Sequence, residues 1–175
     1  MKKIIIHIIR RFAGVIIGLD LAESIKEQKQ VENIRKSLKS CGEKVAFRFP
    51  LVIENKHLVE IGNNVSFASY VHIWGGGGVV IGDNTMIASH VAIASIDHDY
   101  CVKDMKKTVI KKPVIIGSGV WIGSHSFIFP GVKIGDGAVI GANTLVNKNV
   151  PDNAIFYGSP GRVVKYRSFS KELKN

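Results

Sequence analysis

Between Ile116 and Val150 the chain can be written as consecutive lines of six residues: IGSGVW, IGSHSF, IFPGVK, IGDGAV, IGANTL and VNKNVP. Each line opens on an aliphatic residue (Ile116, Ile122, Ile128, Ile134, Ile140, Val146). The second place is mostly Gly, and the fifth is small or β-branched. Neither the period of two of an alternating strand nor the 3.6 of a helix accounts for this spacing. A short fixed period means one structural unit repeated, and a hexapeptide period specifies a parallel β-helix. The aliphatic side chain points into a narrow prism, the next residues turn the corner, and the small fifth residue fills the remaining interior. Gly, Asn and Asp crowd the corners because they take left-handed backbone conformations at low cost.

Upstream the same lines begin imperfectly at Val45 and Leu51 and then settle at Ile61, Phe67, Ile73, Ile81, Ile87 and Ile93. With three hexads per coil, Ile61 to Val150 makes four coils, with a partial one from Val45. Extra residues in Gly75–Gly78 read as a turn bulge, since no Lys-Ser/Thr or helix start follows to make a phosphate cradle. After Ile93 the hexad IASIDH closes a coil, and residues 99–115 leave the repeat as a loop. A loop of that length in an uninterrupted solenoid points to function. The organisation expected is an N-terminal helical segment (1–44), the solenoid (45–157) with its excursion 99–115, and an exit segment with a basic tail (158–175).

Ahead of the repeat, residues 4–21 are apolar around most of a helix, with His7, Arg10, Arg11, Gly14 and Gly18 on one strip. Arg10 and Arg11 interrupt the run, which argues against both a signal peptide and a membrane span. Two roles are open for it: a cap on the solenoid or another subunit, or an interfacial helix making peripheral membrane contact through its basic residues. A second helical pattern runs from Glu23 to Lys39 and ends at Cys41-Gly42. Cys41 and Cys101 fit no metal spacing, and two lone cysteines suit a reducing, cytoplasmic setting. The net charge of +10 would suit a polyanion, but no nucleic-acid motif accompanies it, so no nucleic-acid partner is expected.

The pattern resembles the hexapeptide-repeat acyltransferases over roughly Val45 to Tyr166. The resemblance rests on the hexads, His98 at the mouth of the loop, Lys112-Pro113, Val120-Trp121-Ile122-Gly123, Pro130-Gly131-Val132 and Gly158 to Val164. It is similar in particular to maltose and galactoside O-acetyltransferases and to acetyltransferases of colanic acid and other exopolysaccharides. The resemblance implies an all-β fold, a left-handed parallel β-helix, and a homotrimer. It also implies acetyl-CoA as co-substrate and direct transfer of the acetyl group to a saccharide acceptor. In that family the histidine at the loop is the general base, which falls on His98; imidazole can take a proton and release it near neutral pH. Carried over position by position, Ser124 offers its backbone N–H to the developing oxyanion. Ala142 lies against the pantetheine arm, and Trp121 packs near the thioester channel. Asn147, Lys148, Arg162 and Lys165 fall where the family contacts the nucleotide end of CoA, and cations there suit its phosphates.

Where maltose and galactoside enzymes place an asparagine and an aspartate to hold the sugar, this chain has Ala68 and Gly76. The acceptor expected is therefore a surface polysaccharide or its precursor, acetylated on oxygen. N-acetylation of an amino sugar uses the same fold and base and is the nearest alternative. Two further alternatives are a zinc hydratase of the γ-class carbonic anhydrase kind and a non-catalytic β-helix. The hydratases need two histidines five positions apart, a spacing absent among His7, His57, His72, His90, His98 and His125, so no metal is expected. His90 and His125 share a phase in neighbouring coils and should stack, with Tyr70 and Asn143 extending the column.

Overall fold

The structure is a computed structural model that describes residues 21–168. The chain divides into two compact units, Met1–Lys36 and Ser37–Asn175. Residues 21–37 are helical, and Lys36 hydrogen-bonds Glu32 one turn earlier at 2.6 Å, holding that carboxyl below its ordinary range. The apolar stretch 4–21 lies, but for Leu21, outside the described residues. Among the described residues no helix is long and apolar enough to cross a membrane.

The second unit is a parallel β-helix with three faces. The first face stacks Ser40–Cys41, Val59–Ile61, Val79–Ile81, Val114–Ile116 and Lys133–Ile134. The second stacks Ala46–Phe47, Ser66–Phe67, Met86–Ile87, Trp121–Ile122, Val139–Ile140 and Ala154–Gly158. The third stacks Val52–Glu54, His72–Trp74, Ala92–Ala94, Phe127–Ile128 and Leu145–Val146. Registers follow the hexads: Ile61 pairs Ile81, Ile122 pairs Ile140, and Ile93 pairs Ile128. The six opening residues of the C-terminal lines are each no more than 2% exposed. Burial of such a side chain contributes about 1.5–3 kcal/mol.

Backbone amides that the prism leaves over are met by the corners. Between the first and second faces, Oδ1 of Asn63, Asp83, Asp136 and Asp152 accepts from the N–H of Glu43, Asn63, Ser118 and Asp136 at 2.6–3.0 Å. The left-handed positions on that edge are Lys44, Asn64, Asn84, Gly119, Gly137 and Asn153, mostly residues that tolerate it. Inside, Thr85, Ser95, Ser126 and Thr144 are buried yet hydrogen-bonded, so no buried side-chain N or O among the described residues lacks a partner.

Three local features differ from the sequence reading. Cys41-Gly42 does not end the helix, which stops at residue 37; Ser40–Cys41 instead pairs in parallel with Glu60–Ile61. The line CGEKVA is a hexad whose aliphatic place is held by cysteine, so the solenoid starts at Cys41; Val45 and Leu51 take fifth places, and Phe47 and Ile53, paired with Phe67 and Ile73, open the lines. The stretch after Ser95 is a hairpin rather than a bare loop: Ile96–His98 pairs antiparallel with Val109–Lys111. IASIDH therefore leaves the coil at its fourth residue. Finally, the exit segment folds back, Gly161–Tyr166 pairing antiparallel with Ala154–Gly158.

The glycine run explains how the hairpin is rooted. Gly78 turns the chain with φ +94, its N–H bonded to the Gly75 carbonyl at 2.8 Å. A Cβ on Gly77 would collide with the Ser95 carbonyl and sit 2.9 Å from the Lys112 nitrogen. Ser95 is the knot: its Oγ donates to Trp74 O at 2.7 Å and accepts from Gly77 N at 2.9 Å, and its carbonyl accepts from Lys112 N at 2.9 Å. The hairpin neck is thereby pressed against the preceding coil, and His98 stands three residues from it.

Candidate active site

His98 ends the outgoing strand of the hairpin, exposed, on the edge between the third and first faces. Its Nδ1 lies 2.8 Å from the Met105 carbonyl and 3.2 Å from that of Thr108. A carbonyl can only accept, so Nδ1 carries the hydrogen, and in the neutral ring the lone pair then falls on Nε2. The short 3-10 turn Met105–Lys107 supplies the first of these carbonyls, and Thr108, its C-cap, the second. Asp97 and Asp99 do not hold the ring: their Oδ1 atoms accept from the backbone N–H of His98 (2.8 Å) and Cys101 (2.9 Å).

His98 opens onto a concavity of about 310 Å³ that Tyr100, Lys112, Phe129, Pro130 and Asn147 also line. Of the residues singled out in the sequence, Asn147 joins His98 here. Lys112, Tyr100 and Phe129 were not singled out for the site. Lys112 and Phe129 fall on the hairpin's return and on a neighbouring coil, positions that a linear reading keeps far from residue 98. A second concavity, of about 370 Å³, is lined by Lys148, Tyr157 and the turn Gly158–Arg162. Lys148 and Arg162 are exposed there; Lys165, on the outer strand, lines neither concavity.

Ser124 and Ala142 are elsewhere, on the edge between the second and third faces, where the strands Trp121–Ile122 and Val139–Ile140 end. They occupy the same place in consecutive coils, as Asn143 N bonding to Ser124 O at 2.9 Å shows. Among the described residues the backbone N–H groups of Ser124 and Ala142 donate to nothing. Trp121, half-exposed, stands on the second face between Met86 and Val139. The width of the third face thus separates His98 from Ser124 within one chain. The expected column is present: Tyr70 and His90 stack at 4.8 Å, and His90 and His125 at 4.5 Å. Parallel stacking turns ring faces toward each other rather than converging nitrogens on one point.

A three-faced β-helix of hexads, interrupted by a histidine-bearing hairpin and with open amides on an edge, is the architecture of the β-helical acyl-group transferases. The family model described as "Hexapeptide repeat of succinyl-transferase" matches residues 113–148. Galactoside O-acetyltransferase of Escherichia coli K12 is 34% identical over 140 residues, covering 79% of this chain and 68% of that protein. The structure of a galactoside acetyltransferase in complex with coenzyme A superposes with a TM-score of 0.76 at 33% identity, covering 79% of this chain and 70% of the other. AntD, an N-acyltransferase from Bacillus cereus in complex with dTDP and coenzyme A, gives 0.62 at 29%, covering 81% and 89%. The chain belongs to the hexapeptide-repeat acyltransferases, and it is an acetyltransferase.

Proposed function

We propose that the chain transfers an acetyl group from acetyl-CoA to a sugar hydroxyl of a surface polysaccharide or its precursor, in the cytoplasm, with His98 as general base. The observation that carries this reading is the contact of His98 Nδ1 with Met105 O at 2.8 Å, which in the neutral ring leaves the lone pair on Nε2. Nε2 takes the proton of the acceptor hydroxyl as its oxygen bonds to the thioester carbonyl carbon. The oxyanion so formed is met by the Ser124 N–H, a fixed donor that needs no reorganisation. The C–S bond then breaks, and the imidazolium returns its proton to the departing thiolate, giving ester and free CoA.

The residues present suit CoA. Lys148 and Arg162 in one concavity supply cations for its phosphates; Asn147, next to Lys148 in the chain, lines the His98 concavity, and Lys165 adds a cation on the exit strand. Ala142 leaves room for the pantetheine arm along the edge, and Trp121 flanks the thioester. The coenzyme A bound to the related galactoside acetyltransferase supports this reading.

A homotrimer completes the site. The two half-sites lie on the two edges of the third face. That face carries an aromatic cluster of its own: His72 and Trp74 stack at 3.8 Å, Phe127 and Phe129 meet edge-on at 4.9 Å, and Ala92 and Ala94 lie between. Three copies turning this face inward set each Ser124 edge beside a neighbour's His98 edge and cover the aromatic side chains.

The likeness to AntD favours a second reading, N-acylation of a nucleotide-linked amino sugar. One screen decides between them: thiol release from acetyl-CoA against matched panels of hydroxyl and amino saccharides, free and nucleotide-linked. Stimulation by hydroxyl saccharides is expected; stimulation by amino sugars alone would replace O- with N-acetylation.

A further inference from the structure

The edge that carries Ser124 departs from the other edges in what it places at the left-handed corner. In successive coils these positions are Tyr70 (φ 66), His90 (φ 61), His125 (φ 61) and Asn143 (φ 54). On the edge between the first and second faces the same conformation falls mainly to Asn and Gly. His and Asn tolerate it better than most residues, whereas Tyr70 adopts it at a steric cost, and such outliers gather where a ligand is held. The rings of Tyr70, His90 and His125 lie parallel, each 16° from the next, so their faces cover one another and their polar rims point outward. Among the described residues, the Tyr70 hydroxyl and the ring nitrogens of His90 and His125 make no hydrogen bond. The backbone N–H groups of Ser69 and Ser89 are equally uncommitted, continuing the row begun by Ala142 and Ser124. Tyr70 is 58% exposed.

We infer that this part of the edge is an acceptor subsite for a neutral saccharide of two or more sugars, lying lengthwise from Ser124 toward Tyr70. The inference rests on the reading above, in which CoA runs from the Lys148–Arg162 concavity past Ala142 to Ser124 and leaves the rest of the edge to the other reactant. A row of hydroxyl, imidazole and amide groups without a lysine, arginine or carboxylate among them suits sugar hydroxyls. Its extent over two coils below Ser124 suits a chain rather than a single ring. Ala68 beside it leaves the ring rims, instead of a local amide side chain, to make the contacts.

The test pairs wild type with a Tyr70→Phe, His90→Asn variant. The first change removes one hydroxyl and keeps the ring; the second puts a residue at ease in the left-handed region. Both proteins are applied, with coenzyme A present, to a glycan array of bacterial polysaccharide fragments one to six sugars long, and their coenzyme A affinity is measured by calorimetry. Wild type is expected to retain fragments of two or more sugars at least about tenfold better than single sugars, and the variant to lose that margin. Coenzyme A affinity should stay within about twofold in both. No length preference in wild type, or the same preference in the variant, overturns the subsite. A wild type that fails to bind coenzyme A overturns instead the reading on which it rests.

Discussion

His98→Ala is expected to lower turnover by about 10²–10⁴-fold while acetyl-CoA affinity stays nearly unchanged. The size follows from the proposed role, in which the His98 imidazole takes the acceptor proton and alanine removes it. Affinity should be spared because Lys148 and Arg162, the cations proposed for the part of CoA that does not react, line a different concavity from His98. The fold is spared as well, because His98 is exposed and its ring is anchored only to two carbonyls of its own hairpin. Steady-state kinetics with the acceptor found by the screen, beside calorimetry with CoA, makes the check. Activity within a few-fold of wild type would remove His98 from the mechanism.

Ala142→Trp should have a comparable effect by a different route. Ala142 is exposed, has no left-handed backbone, and lies outside any strand, so an indole there should shift stability by no more than about 0.5 kcal/mol. It would, however, fill the edge along which the pantetheine arm lies and displace the thioester from the Ser124 N–H. A misplacement of about 1 Å costs about 10²-fold in rate, so kcat/KM for acetyl-CoA should fall by that factor or more. Equal values for wild type and variant, with melting temperatures matched, would mean that the arm takes another path.

The hexads were legible because a prism this narrow admits one large side chain and one small or β-branched one per line, and Ile116 through Val146 write that constraint into the sequence without a gap. Cys41 was not, because cysteine can take the inward place of a hexad while Gly42 equally suits a helix end. The hairpin was visible as an interruption, but its pairing of His98 with Val109 was not, since residues 99–108 carry no alternating pattern. His98 itself stood out by phase. The carbonyls of Met105 and Thr108 that fix its tautomer could not, for a backbone acceptor leaves no trace in side-chain identity. Lys112 and Phe129 joined the concavity only through the stacking of coils. The aromatic cluster of the third face, with Trp74 and Phe127 on the layers either side of its alanines, was hidden because outward residues of a hexad follow no rule of their own.

The proposed site is assembled from the His98 edge of one chain and the Ser124 edge of another. His98→Ala and Ala142→Trp chains, each inactive alone, should be co-expressed with different tags and the doubly tagged oligomers isolated. A trimer holding both variants keeps one interface in which an intact Ser124 edge faces an intact His98, so about one third of wild-type turnover should return in the mixed species. Mixed oligomers no more active than either variant alone would contradict the claim and confine both halves of the site to one chain.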